Sequence, residues 1–366
     1  MVDRKSRLQV PWRALTMVGA LLVIWVIFSI TTDGIFLGPR NLSLLMRQMS
    51  VTAILAIGMV LVIVAGQIDL SVGAMTGFLG AVSAVLFVNH NWPLWATFAA
   101  TILLGSLFGH LQGHLVTWFN IPPFIVTLGG MLIFQGALLG LTGGVAISPT
   151  PDYLFVGQAH VAKVFGWAAF GVVALYFLYR AFKGKAASAR LKWLGLLAVV
   201  AVFITVMNAY EGIPFPVLLM IIFAAAFSIL AQQTPFGRHL YAIGGNREAA
   251  FYSGININRH IVLVFTLMGA MVGVAGIVLT ARVGSATSDA GRMMELDAIA
   301  ASVIGGTSLM GGRGTVWGAI LGALVMASLD NGMSLMNTEA FWQPIIKGGI
   351  LVIAVALDMM GRKGKA

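Results

Sequence analysis

Apolar stretches of roughly membrane-crossing length follow one another along most of the chain, near residues 14–31, 49–66, 70–88, 94–118, 123–142, 166–182, 191–209, 214–232, 260–281, 296–311, 315–336 and 343–360. A helical crossing needs about 20 mostly apolar residues to traverse a hydrocarbon core of roughly 30 Å. The pattern predicts an all-α, polytopic helical membrane protein of about 12 transmembrane helices, a single transmembrane domain over residues 1–366. An even number of crossings puts both termini on one side of the membrane. Two connections are longer than turns: "GGVAISPTPDYLFVGQAHVAKVF" from Gly143 to Phe165, and the stretch from about Gln233 to His260, "QTPFGRHLYAIGGNREAAFYSGININRH". In a compact protein a loop of that second length is functional or disordered, and its Tyr, Phe, Ile and Ala argue against disorder.

Composition agrees: 59% of residues are hydrophobic and 9% charged, against roughly 25% charged in a soluble domain. A net charge of +10 would point to nucleic acid in a soluble chain, but here its distribution decides otherwise. Arg4, Lys5, Arg7 and Arg13, the cluster Arg180, Lys183, Lys185, Arg190 and Lys192, then Arg238, Arg247, Arg259 and Arg313, and finally Arg362, Lys363 and Lys365 all fall on the side of the termini. Lys and Arg are retained on the cytoplasmic face, so both termini are expected there, the lipid bilayer is the charge's partner, and nucleic acid is not. The basic start "MVDRKSRLQVPWR" runs into an apolar stretch of span length without a small-residue cleavage site, which reads as an uncleaved first span.

Catalytic chemistry finds little to work with. The absence of cysteine excludes disulfides and thiolate chemistry. His110 and His114 stand one helical turn apart with no carboxylate or thiol nearby in sequence, too few ligands for a metal site. "GGRG" at Gly311 to Gly314 lacks the Lys and Ser or Thr ending of a phosphate loop. No enzyme and no cofactor bound by this chain are expected.

Asp69 is the only charged residue between Ser50 and Val88. Those 39 residues are about twice one span, so the chain must reverse near Asp69 with almost no loop, between Gly66 and Gly73. Two readings stay open. Asp69 or Ser71 caps the helix that begins there, or Asp69 lines a path through the membrane, since intramembrane carboxylates are functional candidates. In "IGGNREAAFYSGI", a short helix from Glu248 to Tyr252 is bounded by glycines with Asn246 as its N-cap, a form suited to docking in a partner's groove. "GAMTGFLGAV" from Gly73 and "GTVWGAILGAL" from Gly314 share glycines at matching offsets, which reads either as an internal repeat or as ordinary small-residue helix packing.

"GQIDLSVGAMTG", "YAIGGNREAAFYSGI", "ELDAIAASVIGGTSLMGGRGTVWGAILGAL" and "DNGMSLM", in this order, resemble the permease subunits of bacterial monosaccharide ABC importers, the ribose, arabinose, galactose and xylose group. "RNLSLLMRQMSVTAILAIGMV", "ASLDNGMSLM", "FWQPIIKGG" and the extra pair of spans over 165–209 are most similar to the D-xylose type. The resemblance implies a homodimer in the bacterial inner membrane, fed by a periplasmic sugar-binding protein and driven by a cytoplasmic ATPase with two nucleotide-binding domains that uses ATP and Mg. It implies a cytoplasmic coupling loop over 233–260, in which Gly244, Gly245, Asn246, Glu248, Ala249, Ala250 and Gly254 match the importer coupling motif; the Leu-Pro continuation of other importers is absent. A neutral sugar needs hydrogen-bonding groups in an apolar surround, and the candidates are Gln67, Asp69, Ser71, Thr127, Gln135, Thr307, Ser308, Asp330 and Asn331. Glu295 and Asp297 are candidates to meet the binding protein. The residues alone leave open another sugar, or a proton-coupled carrier using Asp69, Asp330 or Asp358.

Overall fold

The computed structural model describes residues 12–183 and 187–363; the basic segment before residue 12, Lys185 and Lys365 lie outside them. The described chain is helical almost throughout. Helices α1 (Trp12–Thr31), α2 (Pro39–Val64), α3 (Val72–Val88), α4 (Leu94–Trp118) and α5 (Pro123–Thr142) are followed by the short α6 (Pro151–Gln158). Strands β1 (His160–Val161) and β2 (Ile213–Pro214) flank a hairpin of α7 (Lys163–Lys183) and α8 (Ala187–Ala209). Then come α9 (Phe215–Gln233), α10 (Pro235–Gly245), α11 (Arg247–Tyr252), α12 (Ile257–Val283), α13 (Met294–Ile304), α14 (Val316–Leu335) and α15 (Trp342–Lys363).

Among the described residues eight helices are long and apolar enough to cross a membrane: α2, α4, α5, α7, α8, α9, α12 and α14. Shorter apolar stretches occupy α1, α3 and α15. The crossing expected over 296–311 is instead the 11-residue α13 followed by irregular chain to Thr315. At 1.5 Å per residue α13 rises only about 16 Å, and the glycines at 305, 306, 311, 312 and 314 withdraw helix propensity where it stops.

Helices α2, α12 and α14 are mostly buried and form the centre, whereas α5, α7 and α8 bury few of their residues. Lipid offers no hydrophobic drive between helices, so their association rests on close van der Waals contact. Glycine supplies that contact between α4 and α12: a Cβ on Gly109 would overlap the Phe265 carbonyl oxygen, and Cβ atoms on Gly105 and Gly269 would each overlap the other's carbonyl. Helix α2 packs against α12 and α14, and its aliphatic side chains, such as Ile54, Ile57 and Ile63, belong to the buried core.

The two glycine motifs that echo in sequence grip opposite ends of α13. Gly73 and Gly77 admit the backbone of Gly291 and Ala290 just before it, and Gly318 and Gly322 admit the carbonyls of Gly305 and Ala301 at its end. Helix boundaries do not support the register: Gly73 lies inside α3, but Gly314 precedes α14. The long connection after α5 is ordered. Ile147 pairs with Ala286 through two backbone hydrogen bonds of 3.0 and 2.8 Å, and the buried Tyr153 of α6 donates to Ser83 at 2.8 Å.

Gly109→Val is expected to push α4 off α12 and lower the thermal midpoint of the detergent-solubilised protein, an overpacking cost of roughly 1–3 kcal/mol. Gly129→Ala, at a position where a Cβ meets nothing within 4 Å, is expected to leave it unchanged or raise it.

Candidate functional site

The connection between α9 and α12 forms two capped helices rather than a loop. Thr234 caps α10 by accepting from Gly237 N at 3.2 Å, Asn246 caps α11 by accepting from Ala249 N at 2.9 Å, and Asn256 caps α12 by accepting from Arg259 N at 3.0 Å. Each is an oxygen side chain meeting an otherwise unpaired first-turn amide. Helix α10 buries Leu240 and Ile243. Along α11, Ala250 turns inward while Phe251 and Tyr252 remain 66% and 84% exposed. Arg247, Glu248, Phe251, Tyr252 and Asn256 line an open groove of about 900 Å³ at this end of the bundle. Large exposed aromatics outside the apolar layer are the usual anchors of a protein interface.

The end of α10 is wedged into the membrane bundle. A Cβ on Gly244 would overlap the carbonyl oxygen of Val64, the last residue of α2, and lie 2.7 Å from Gly312 N. Gly312 N donates to that same Val64 oxygen at 2.9 Å. Cβ atoms on Gly311 and Gly312 would lie 2.9 Å from Gly244 Cα and 2.8 Å from Gly245 Cα, while a Cβ on Gly245 would meet nothing within 4 Å. The Tyr241 hydroxyl donates to Gly314 O at 2.7 Å. Three chain segments therefore meet backbone to backbone: the end of α2, the end of α10 and the chain between α13 and α14.

Two of these segments are helix reversals with matching caps. After α2, Gln67 N donates to Val62 O and Gly66 N to Ile63 O; after α13, Thr307 N donates to Ser302 O and Gly306 N to Val303 O. Both are the paired closure of a helix by a left-handed residue, supplied by Gly66 at φ 75° and Gly306 at φ 91°. The likeness between the two halves of the sequence thus resides in these caps. Gln67 and Thr307 are both buried, and neither Gln67 Oε1 nor Thr307 Oγ1 has a hydrogen-bond partner among the described residues. Ser308 Oγ accepts from Met310 N at 3.3 Å.

Asp69 is buried and makes a turn one residue short of α3: its Oδ1 accepts from Ser71 N at 2.9 Å and Ser71 Oγ at 2.7 Å. Neither side chain caps the helix proper, because the Ser71 hydroxyl is held by Asp69 and accepts from Gln112 Nε2 at 3.0 Å. Thr127 closes over this turn, donating to Pro123 O at 2.9 Å and lying 3.4 Å from Ile68 O. Gln135 stands apart, exposed midway along α5.

The remaining candidates make internal contacts. Lys347 of α15 pairs with Asp297 of α13 at 3.0 Å and Asp330 of α14 at 2.9 Å. Asn331 and Asn41 exchange amide hydrogen bonds of 2.8 and 3.1 Å. Glu295 is buried against Gly73. The two carboxylates expected at a docking surface thus face the bundle. Lys347, the one cation inside the last apolar stretch, and Asn41 were readable as polar residues needing partners; nothing in the sequence identified Tyr241 or Gln112. At the opposite end, His160 accepts or donates to Ser43 at 3.3 Å and faces Glu211 at 3.1 Å. Burial and then the Arg47 charge hold its imidazole below the usual histidine range, with Glu211 opposing.

Fold and site define a multi-pass membrane permease. The chain belongs to the permease family described as branched-chain amino acid transport system / permease component, whose model matches residues 41–355. It is 45% identical to the xylose transport system permease protein XylH of Escherichia coli K12, over 93% of this chain and 90% of that one. It is 44% identical to XylH of Haemophilus influenzae, over 94% of this chain and 95% of the relative. The ribose import permease protein RbsC of Bacillus subtilis is 36% identical, with 92% and 90% covered. No solved structure matches.

Lys347→Met is expected to leave two adjacent carboxylates without a cation and to cost about 3 kcal/mol, read as a lowered thermal midpoint in detergent. Adding Asp297→Asn and Asp330→Asn should restore most of it. Asp69→Asn keeps an acceptor for Ser71 and should preserve stability, whereas Asp69→Ala strands the Ser71 amide at about 1–3 kcal/mol, measured in the same melts.

Proposed function

We propose that the chain is the membrane subunit of an ATP-driven importer that moves D-xylose into the cell. The observation that carries this reading is the near full-length likeness at 44–45% identity to xylose permeases, against 36% to the ribose permeases. In this reading the end of the bundle that bears Arg238, Arg247, Arg259 and Arg313 faces the cytoplasm of a bacterial inner membrane, with both termini on that side and about twelve passages of the chain, one of them made by the short α13 together with the irregular chain that adjoins it.

A cytoplasmic ATPase with two nucleotide-binding domains binds the groove at α11 and uses ATP and Mg; this chain binds neither. Within the coupling motif, Asn246 sets the start of α11, Glu248 faces the groove, Ala249 and Ala250 provide the short helix and its inward contact, and Gly254 ends it at φ 79°. A periplasmic sugar-binding protein delivers cargo at the opposite end. A second copy completes the path, a pairing supported by Gln135, an amide exposed midway along α5 beside Gly136 and Gly140, where a Cβ meets nothing within 4 Å. Polar groups on a lipid-facing helix surface are costly unless another helix covers them. The cargo contacts are sought at the reversals, where Gln67 and Thr307 hold unmatched hydrogen-bonding capacity. A proton relay is disfavoured by the engagement of Asp69 with Ser71 and of Asp330 with Lys347.

The test is uptake of labelled D-xylose into proteoliposomes containing this chain, its ATPase and its binding protein. Uptake should require all three components and ATP, and unlabelled xylose should compete better than ribose, arabinose or galactose. Preference for another sugar would overturn the cargo, and uptake by this chain alone would overturn the importer.

A further inference from the structure

The two leading glycines of the coupling motif occupy opposite environments. Gly244 is enclosed by the backbone of Val64, Gly311 and Gly312; Gly245, one residue on, faces open space on its Cβ side. We propose that Gly244 is a positioning residue, a backbone joint through which displacement of α10 and α11 is carried to both helix reversals together. This rests on the importer reading above and goes beyond it by separating the residues that meet the ATPase from the one that transmits its motion.

The argument is mechanical. Contact between side chains yields to displacement by rotamer change, but a backbone packed against a backbone has no rotamer to change. At Gly244 the contact on α2 and the contact on the 305–315 chain are made by the same Cα, and the Gly312 amide bonded to the Val64 carbonyl ties those two segments to each other. Tyr241, one turn earlier on α10, adds its hydroxyl to Gly314 O. Tilting α10 therefore displaces the turn that holds Gln67, Asp69 and Ser71 and the turn that holds Thr307 and Ser308 in one movement. Both turns contain a buried polar atom without a partner, Gln67 Oε1 and Thr307 Oγ1. Buried polar groups ordinarily find partners, so each turn holds unused bonding capacity that a second arrangement of the joint can engage. Interfaces of this kind switch between discrete packings rather than deforming continuously.

The experiment compares Gly244→Ala with Gly171→Ala, a glycine of α7 outside the coupling motif where an added Cβ meets nothing within 4 Å, in proteoliposomes containing the ATPase and the binding protein, measuring sugar uptake and ATP hydrolysis in the same vesicles. Gly244→Ala should lower sugar moved per ATP by about tenfold while hydrolysis continues, and Gly171→Ala should stay within about twofold of the parent. A parental ratio in Gly244→Ala, or equal losses in both variants, would overturn the joint. Should Gly244→Ala fail to assemble, Tyr241→Phe decides, since it removes one hydroxyl and no packing. A fall of about threefold in sugar per ATP with unchanged hydrolysis supports the joint, and an unchanged ratio rejects it. Failure of the importer reading would appear in the parental vesicles, whereas failure of the joint appears only in the contrast between variants.

Discussion

Every place where this chain leaves the helical conformation inside a membrane must satisfy its backbone polar groups without water, because lipid offers no hydrogen bonds. The described structure meets that constraint at its two reversals by the same means. A left-handed glycine folds the last two amides back onto the ending helix, and the leftover carbonyl of Val64 is taken by the amide of Gly312. The reversal after α2 is thus completed by the reversal after α13. Each depends on the other, and the position of α10 between them follows from the same atoms.

A second consequence is that glycine acts here chiefly as absent volume. Along the α4–α12 seam, at both ends of α13 and at Gly244, a carbonyl oxygen occupies the place of a Cβ. Such contacts hold helices closer than side chains permit, which supplies van der Waals contact that a looser pairing would only exchange evenly for contact with lipid. Where α5 turns Gly129, Gly136 and Gly140 to open space, the same residue type marks a surface unfinished within one chain. The α7–α8 hairpin follows a different rule. Its helices pack mainly on each other, pinned at one end by the β1–β2 ribbon, and at the other end the exposed Arg180 lies 5.0 Å over the Trp193 ring, a cation held by an aromatic face.

What the sequence revealed followed the strength of each local signal. Helices α4 and α5 begin and end where hydropathy put them, because Pro93, Pro122 and Pro123 fix their starts. Asn246 was readable as a cap since an amide side chain before a short helix has one common use. The supposed span at 296–311 misled because Ile, Leu, Ala and Gly keep hydropathy high whether or not the backbone is helical. Asp297 and Asp330 read as exposed or path-lining carboxylates because their shared cation, Lys347, lies 50 residues from one of them. Long-range pairing leaves no trace in a local window. The closeness of Val64, Gly244 and Gly312 was hidden for the same reason, although each glycine was visible by itself.

The two glycines at the end of α10 show how a motif divides once geometry is known. Gly245 carries no steric demand of its own, yet a Cβ on the left-handed Gly312 would lie 2.8 Å from its Cα. A Cβ is therefore accommodated at 245 but not at 312, and an alanine at 244 would have to move Val64 or Gly312, both of which are held by their mutual hydrogen bond. The requirement for glycine runs through the contact partner rather than through adjacency in sequence. Residues 244, 311 and 312 form one steric unit drawn from two distant segments, and Asn246 through Gly254 form another that faces outward. The first has the properties of a hinge pin and the second those of a handle, which is the division of labour that a device converting an external push into movement of buried turns requires.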